Sequence, residues 1–526
     1  MTQGVGLSMI DWLIVAGYFL SMAWIGYVFS KKQTSTEHYF AGGRAIPVWA
    51  VGMSMLATLI SSVTFLAYPG EGYKSDWSLL VQGLMVPIVL LSLVWVIVPL
   101  FRNVIGLSAY EYFERRFGYF ARLYTSVEFS FNHFTKMGTV FYLLALALSS
   151  MTGINTYYVI VIVGICTIFY TWFGGIEAVV WTDVVQGFLF LVGGIVVLAI
   201  LLFKPEGGPV AVVGMAWQHN KMNLGNMDWD FSRLTFVVMV VNGLFYALQK
   251  YTTDQTIVQR FLLVDSDKKA IKAALMGPLL CVPTWMMFIF IGTCLWSFYQ
   301  ITQLPLPADV LKKPEAVFPY FIMTQLPVGV IGLVLSALLA AAMSTLSSDL
   351  NCLAVIGVED VYRRIRPTST DQQRLRFGKL IVCASGVLAM AIACLYVKAE
   401  GKSVLAIVFK CYAIFSGGIA GLFALAFFTT RANRQGVLIG IIACVCFTAW
   451  AFLTSNGYTS GGQKRLFLDL GTCNYRHHEL MLGVYSHLVL FGVGYVASLF
   501  FHTDSPHRDL TIYGWLDKRR KDTVLP

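Results

Sequence analysis

Ser344, Thr345, Ser347 and Ser348 sit inside a long apolar run, LSALLAAAMSTLSSDLNCLAVIGVED at 335–360. Hydrocarbon offers a hydroxyl no partner, so such a cluster must find polar atoms within the protein. On an α-helix Ala341, Ser344, Thr345 and Ser348 share one face at i, i+3, i+4 and i+7, with Ser347 one position round. Hydroxyls there, with any freed backbone carbonyl, make an all-oxygen surface suited to a small hard cation. Close packing between helices, which small and hydroxyl residues also serve, is the alternative.

Other polar groups interrupt apolar runs. Lys136 lies about a dozen residues beyond the basic loop at Arg122, roughly 20 Å deep at 1.5 Å per residue. That is too far for easy snorkelling and marks a functional position. His133, one turn earlier, reads as a satisfied core histidine. Asp183, a few residues into its own apolar run, is a bare carboxylate that needs a cation. Gln82 is an amide within the membrane, and Lys250 and Lys410 are two more deep lysines. Thr58, Ser61, Ser62 and Thr64 give the run at 46–66 a polar centre before Pro69-Gly70, and Asn242-Gly243 and Gln249-Lys250 interrupt the run at 234–251. Polar residues with helix breakers predict discontinuous helices, whose freed carbonyls can line a site.

The elements that must hold these groups are membrane spans. Of 526 residues 57% are hydrophobic and 13% charged, with mean hydropathy +0.69; soluble domains carry about 25% charged residues. Runs of about 18–25 apolar residues suffice to cross a bilayer. Thirteen are read, at 9–29, 46–66, 78–101, 123–150, 155–173, 180–203, 234–251, 273–299, 326–357, 378–397, 403–428, 436–453 and 479–501. The two interrupted runs are five apart, as an inverted repeat of five helices requires.

The net charge of +10 is not a nucleic-acid signal, because the bases collect in alternate loops. One set holds Lys31, Lys32 and Arg44, then Arg102, Arg115, Arg116 and Arg122, then Arg260, Lys268, Lys269 and Lys272. It continues with Arg363 to Arg376, Arg431 and Arg434, and Arg508 to Lys521. The positive-inside rule predicts an outer N-terminus and a cytoplasmic C-terminus, and an odd number of spans requires opposite sides. Asp11 falls at the outer edge of the first span. MTQGVGLSMIDW lacks the basic start of a cleavable signal. The ten cysteines show no CxxC and no metal spacing. The tail DLTIYGWLDKRRK reads as an interfacial segment facing anionic lipid.

GGIEAVVWTD (174–183), TDQTIVQR (253–260) and AAAMSTLSSDLN (340–351) together resemble the sodium/solute symporter family, and the similarity runs through nearly the whole chain. ATLISSVTF, SDW (75–77), SAYEYFERRF and YTWFGGIEAVVWTDVVQG are most similar to its bacterial sodium/sialic acid branch. TDQTIVQR also resembles the sodium/glucose branch.

The resemblance implies an all-α polytopic protein with a LeuT-type inverted five-helix repeat and an extra N-terminal helix. It forms a single transporter domain over 1–526, with a first helix at 9–29, repeats at 46–203 and 234–428, accessory helices at 436–501 and a cytoplasmic tail at 502–526. It implies one or two coupling sodium ions. Site one takes carbonyls of Ala57, Ile60 and Ala341 and hydroxyls of Ser344 and Thr345. Site two takes Asp183, Ser344, Ser347 and Ser348. Ser61 and Thr64 match positions that meet the sugar acid, and Lys136 stands where that branch has a carboxylate-clamping arginine. Lysine offers a point charge rather than a planar fork. Lys250 stands where sugar carriers have an aromatic gate. Ser62, Gln82 and Lys410 complete the expected solute set.

The reading is a sodium-coupled symporter, not an enzyme, importing a small organic solute, anionic and probed first as a sugar acid. It is expected in the plasma (inner) membrane, multi-pass, in contact with the lipid bilayer and functional as a monomer. A sodium/neutral sugar symporter, a proton-coupled carrier, and a solute sensor or leak channel on the same fold are the alternatives. No kinase or receiver domain follows the last span, which argues against the sensor.

Overall fold

The apolar runs fold into helices, and the interruptions become breaks, though not all where the breaker residues stand. The computed structural model describes residues 7–31, 33–398, 417–460, 463–501 and 508–524. The first helices are α1 (Met9–Ser30), α2 (Thr36–Ala41), α3 (Val48–Leu59), α4 (Tyr68–Lys74), α5 (Ser78–Val104), α6 (Glu111–Phe117), α7 (Tyr119–Thr152) and α8 (Thr156–Phe203). Next come α9 (Gly208–Gln218), α10 (Phe236–Thr252), α11 (Gln255–Phe261), α12 (Asp267–Thr302), α13 (Ala308–Leu311) and α14 (Pro314–Gln325). The chain continues with α15 (Val330–Ile356), α16 (Arg363–Ile365), α17 (Asp371–Lys398), α18 (Ile419–Phe428), α19 (Arg434–Ser455), α20 (Glu479–Ser498) and α21 (Ile512–Val524). Strands β1 (Gly457–Ser460) and β2 (Gln463–Leu466) pair antiparallel after α19.

Among the described residues nine helices are long and apolar enough to cross a membrane, and the bent pair Val48–Leu59 with Val63–Lys74 makes a tenth. The 48 residues of α8 would run about 72 Å at 1.5 Å per residue, more than twice the hydrocarbon thickness of about 30 Å. They are two spans joined at Gly175, where φ is 56° and ψ −155°. Only glycine takes that conformation without strain, and a Cβ there would lie 2.7 Å from the Tyr39 carbonyl oxygen. The division expected between the spans at 155–173 and 180–203 is therefore present, but Gly175 alone makes it rather than the six residues 174–179.

The first broken helix parts at Ile60–Ser62. Ile60 leaves α3 with φ −89° and ψ 142°, a π-helical turn follows over Val63–Ala67, and the two segments are bent by 60°. Pro69-Gly70 does not make this break; it lies further on, where the π turn runs directly into α4. The second break is at Thr253–Asp254, between α10 and α11. Asp254 caps α11, accepting from Thr256 N at 2.9 Å. Asn242-Gly243, expected as an interruption, lies inside an unbroken α10. Gly243 serves packing instead: a Cβ there would come within 2.9 Å of the Gln82 Cα on α5.

α15 is central. Every residue from Val334 to Ile356 is buried, and the helix packs on α8, α1, α17 and α7. A helix enclosed all round has no lipid face, so its hydroxyls can only meet protein or a bound solute. Asp11 is no lone edge residue. It is buried and accepts from Gly329 N at 2.8 Å and Gly332 N at 2.7 Å, fixing the start of α1 to the start of α15. Basic loops meet at one end of the molecule: Thr36 Oγ1 donates to Asp371 (2.5 Å), Ile46 N to Leu263 O (3.0 Å), Arg102 Nε to Asp267 (2.7 Å) and Arg116 Nη2 to Thr429 O (3.0 Å). The other loops meet at the opposite end, through Trp77 N to Asn223 O (2.9 Å) and His478 N to Phe231 O (2.7 Å).

Candidate functional site

Breaking α3 releases carbonyls, and α15 turns its hydroxyls toward them. Ser344 Oγ donates to Ala57 O at 2.9 Å and lies 3.2 Å from Ala341 O. Thr345 Oγ1 donates to Ile60 O at 3.0 Å and lies 3.4 Å from Ala341 O. In a continuous helix Ala57 O would accept from Ser61 N, but that N–H has turned to Thr64 Oγ1, 3.5 Å away. Five oxygens from two helices thus converge, none on a charged group, and Ser344 and Thr345 are at most 1% exposed. Oxygen donors without nitrogen or sulfur suit a hard monovalent or alkaline-earth cation.

Asp183 is not the bare carboxylate the sequence suggested. Arg260, counted with the loop bases, is wholly buried and places Nη2 3.0 Å from Asp183 Oδ2. It also donates to Ser348 Oγ (2.6 Å), Ser54 Oγ (2.9 Å) and Thr256 O (2.5 Å). Ser54 Oγ donates to Asp183 Oδ2 at 2.6 Å, and Thr58 Oγ1 lies 3.0 Å from Ser348 Oγ. Ser347 Oγ turns back to Ser344 O at 3.2 Å. Asp183 Oδ1 has no hydrogen-bond partner. Arginine suits such a place because its planar fork satisfies several acceptors at once. The signal available in the sequence was the motif TDQTIVQR itself, in which Arg260 follows Thr256 by one helical turn.

Beside the break lies a cavity of about 1330 Å³, its open mouth included. Ser61, Thr64, Gln82, Lys136 and Lys250, all from the expected solute set, line it with Thr58. Ser62 does not: it is fully buried and its Oγ donates to Val140 O at 3.2 Å. Lys410 lies outside the described residues. Sequence reasoning did not select Asn132, Asn242, Gln249 or Asp254, which also face the cavity, and it read His133 as core although His133 lines the wall. The lysines are not free. Lys136 Nζ is 3.0 Å from Asp349 Oδ1, and Lys250 Nζ is 2.6 Å from Asp254 Oδ2.

Two helices broken in corresponding places, a nest of five oxygens at one break and a cavity with polar side chains on its wall beside it define a secondary transporter of the inverted-repeat type. The chain belongs to the sodium:solute symporter family, whose family model matches residues 39–444. It is 32% identical over 445 residues to the sodium/sialic acid symporter NanT of Aliivibrio fischeri, covering 84% of this chain and 87% of that one. It is 33% identical over 439 residues to the sodium/sialic acid symporter SiaT of Proteus mirabilis, covering 83% and 88%. The solved substrate-bound, outward-open state of a Na+-coupled sialic acid symporter superposes with a TM-score of 0.85 at 30% identity, covering 94% of this chain and 98% of that one. The LeuT-type fold expected from the sequence is therefore present, and the relatives are transporters rather than enzymes. The comparisons give no support to a sensor or a leak channel.

Proposed function

We propose that this protein is a sodium-coupled symporter importing a small organic anion, a sialic-acid-like sugar acid or another carboxylate. The observation that carries the reading is the five-oxygen nest at the α3 break, one residue away from Ser61 on the cavity wall. A sodium ion held by Ala57, Ile60, Ala341, Ser344 and Thr345 replaces hydroxyl-to-carbonyl bonds with ion-to-oxygen contacts. It pins the end of α3 to α15 and thereby fixes Ser61 and Thr64 for the solute. Coupling follows if this geometry exists in the outward form and is lost in the inward one, since an ion shifts an equilibrium only by its differential affinity. Each charge carried inward gains about 2.3 kcal/mol per 100 mV.

The solute is placed between α3, α5, α7 and α10, its anionic group at Lys136 and its hydroxyls at Ser61, Thr64 and Gln82. The relatives' named solute supports this class. A second sodium is assigned to Asp183 Oδ1 with Ser344, Ser347 and Ser348. Arg260 already neutralises that carboxylate, so this ion adds net charge to the core and binds more weakly than the first. The two repeats take 46–203 and 234–428. The end of the molecule that gathers the basic loops faces the cytoplasm, which leaves the N-terminus outside. One chain contains the whole site, so the monomer is the functional unit.

The test is competition in proteoliposomes loaded by a sodium gradient. Labelled N-acetylneuraminic acid is supplied with unlabelled sugar acids, neutral sugars and small carboxylates. The reading expects acids to compete and neutral sugars of the same size to fail; the reverse order contradicts it.

A further inference from the structure

α11 lies between the cavity and the end of the molecule that gathers the basic loops. It starts after Asp254 on the cavity wall and ends at Phe261, and every residue of it is buried. The turn that follows is fastened to the basic end: Leu263 O accepts from Ile46 N at 3.0 Å and Val264 O from Arg102 Nη1 at 2.8 Å. A carrier that opens to each side in turn must move this plug before the cavity can empty at the basic end.

Three polar side chains of α11 hold it in place. Gln255 Nε2 donates to Leu107 O at 2.8 Å, and its Oε1 accepts from Ala109 N at 2.7 Å. Gln259 Nε2 donates to Phe40 O at 2.7 Å and to Asn351 Oδ1 at 2.8 Å. Arg260 differs from both in what it joins. Its Nε meets Ser54 Oγ on α3, while its Nη2 meets Ser348 Oγ on α15 and Asp183 on α8. Ser54 stands about one helical turn before Ala57, and Ser348 about one turn beyond Ser344 and Thr345. The guanidinium therefore bridges the two helices of the oxygen nest one turn away from it, and Thr58 Oγ1, 3.0 Å from Ser348 Oγ, joins them directly in between. Arginine can do this because one planar fork satisfies acceptors on several elements at once. An ion in the nest holds α3 against α15 and so keeps Ser54 and Ser348 where the guanidinium reaches both. Departure of α11 removes the bridge, and the carbonyls of Ala57 and Ile60 lose their fixed place opposite Ser344 and Thr345.

We propose that Arg260 is the positioning residue that ties the sodium nest to this plug: sodium in the nest keeps α11 shut, and a shut α11 keeps the nest in shape. The coupling runs equally in both directions, as equilibrium linkage requires. It rests on the sodium reading above and supplies the link by which the ion biases one form over the other.

Cys352 on α15 reports on the plug. It is fully buried and its Sγ donates to Gln259 Oε1 at 3.1 Å, so departure of α11 uncovers it. The experiment treats the purified full-length protein with N-ethylmaleimide in sodium or in choline and quantifies modified Cys352 by peptide mass spectrometry. Thermal unfolding over a sodium titration gives the midpoint of ion binding without any solute. In wild type, sodium is expected to slow modification of Cys352 about fivefold or more, the lower end of typical coupling between sites. Arg260→Lys keeps the charge against Asp183 and gives up the fork. Ser54→Ala cuts the arm to α3, leaves every nest ligand in place, and carries the test if the lysine variant does not fold. In both, the protection of Cys352 is lost and the sodium midpoint rises by a similar factor. Wild-type protection with an unchanged midpoint makes Arg260 a structural partner only and overturns the inference, and either change without the other also overturns it. Equal reactivity of wild-type Cys352 in the two salts, while sodium still stabilises the protein, overturns this inference alone. Absence of any stabilisation by sodium over choline overturns the nest reading and this inference with it.

Discussion

Ser344 carries more of the account than any other residue, because its hydroxyl meets carbonyls of both helices that form the oxygen nest. Ser344→Ala removes a ligand without adding bulk. The expected outcome is a sodium KM raised at least about tenfold with the protein still folded, one neutral hydrogen bond being worth only about 1 kcal/mol to stability. Unchanged sodium dependence in that variant would remove the site. Asp183 behaves differently. Asp183→Asn leaves the Arg260 guanidinium buried without its carboxylate, and breaking such a pair costs about 3–5 kcal/mol. Thermal unfolding in detergent should show that loss before any transport assay does; a fully stable variant with altered sodium cooperativity would make Asp183 an ion ligand first and a structural partner second. Lys136→Ala should weaken acids far more than neutral competitors, and equal loss on both would leave Lys136 purely structural. The serine cluster was legible in the sequence because hydroxyls stand out in hydrocarbon. Arg260 was not, since its partner lies 77 residues away and the next bases along the chain are loop bases.

At the scale of elements, the two broken helices were legible as such; the first parts within its polar centre, while the second parts beyond the Asn242-Gly243 and Gln249-Lys250 marks. Hydroxyls and glycines mark where a helix can be interrupted, but which mark is used depends on the neighbour. Gly243 is spent on close approach to α5, Pro69 lies where the π turn runs on into α4, and the true breaks sit at Ile60–Ser62, inside the hydroxyl-rich centre, and at Thr253–Asp254, with no glycine or proline at either. Asp254 could have been found as a helix cap, the pattern of an acidic residue just ahead of a helical stretch. Gly175 shows the opposite case, a breaker used where it stands. Gly175→Ala combines a left-handed φ of 56° with a Cβ 2.7 Å from Tyr39 O. A strained backbone of this kind costs on the order of 1–3 kcal/mol, so the variant should show lower thermal stability and reduced yield of folded protein. Wild-type stability would mean that the turn between the two halves of α8 relaxes freely.

Over the whole molecule, alternate loops meet at opposite ends, which is the spatial counterpart of the charge alternation seen in the sequence. The Asp11 contacts with Gly329 and Gly332 put the starts of α1 and α15 at the same end, away from the basic loops. Composition and periodicity could reveal the spans and their alternation, because hydrophobic length is a local property. They could not reveal that α15 is enclosed on every side or that the cavity lysines are paired, because both depend on which helices become neighbours. The account stands on a single claim, that an ion in the oxygen nest between α3 and α15 drives the solute inward. The most direct measurement is accumulation of labelled N-acetylneuraminic acid in proteoliposomes under an inward sodium gradient, against the same vesicles with choline in place of sodium, in wild type and Ser344→Ala. The account predicts accumulation above the external concentration in sodium, none in choline, and collapse of the sodium-driven component in the variant. Equal uptake in sodium and choline would contradict it.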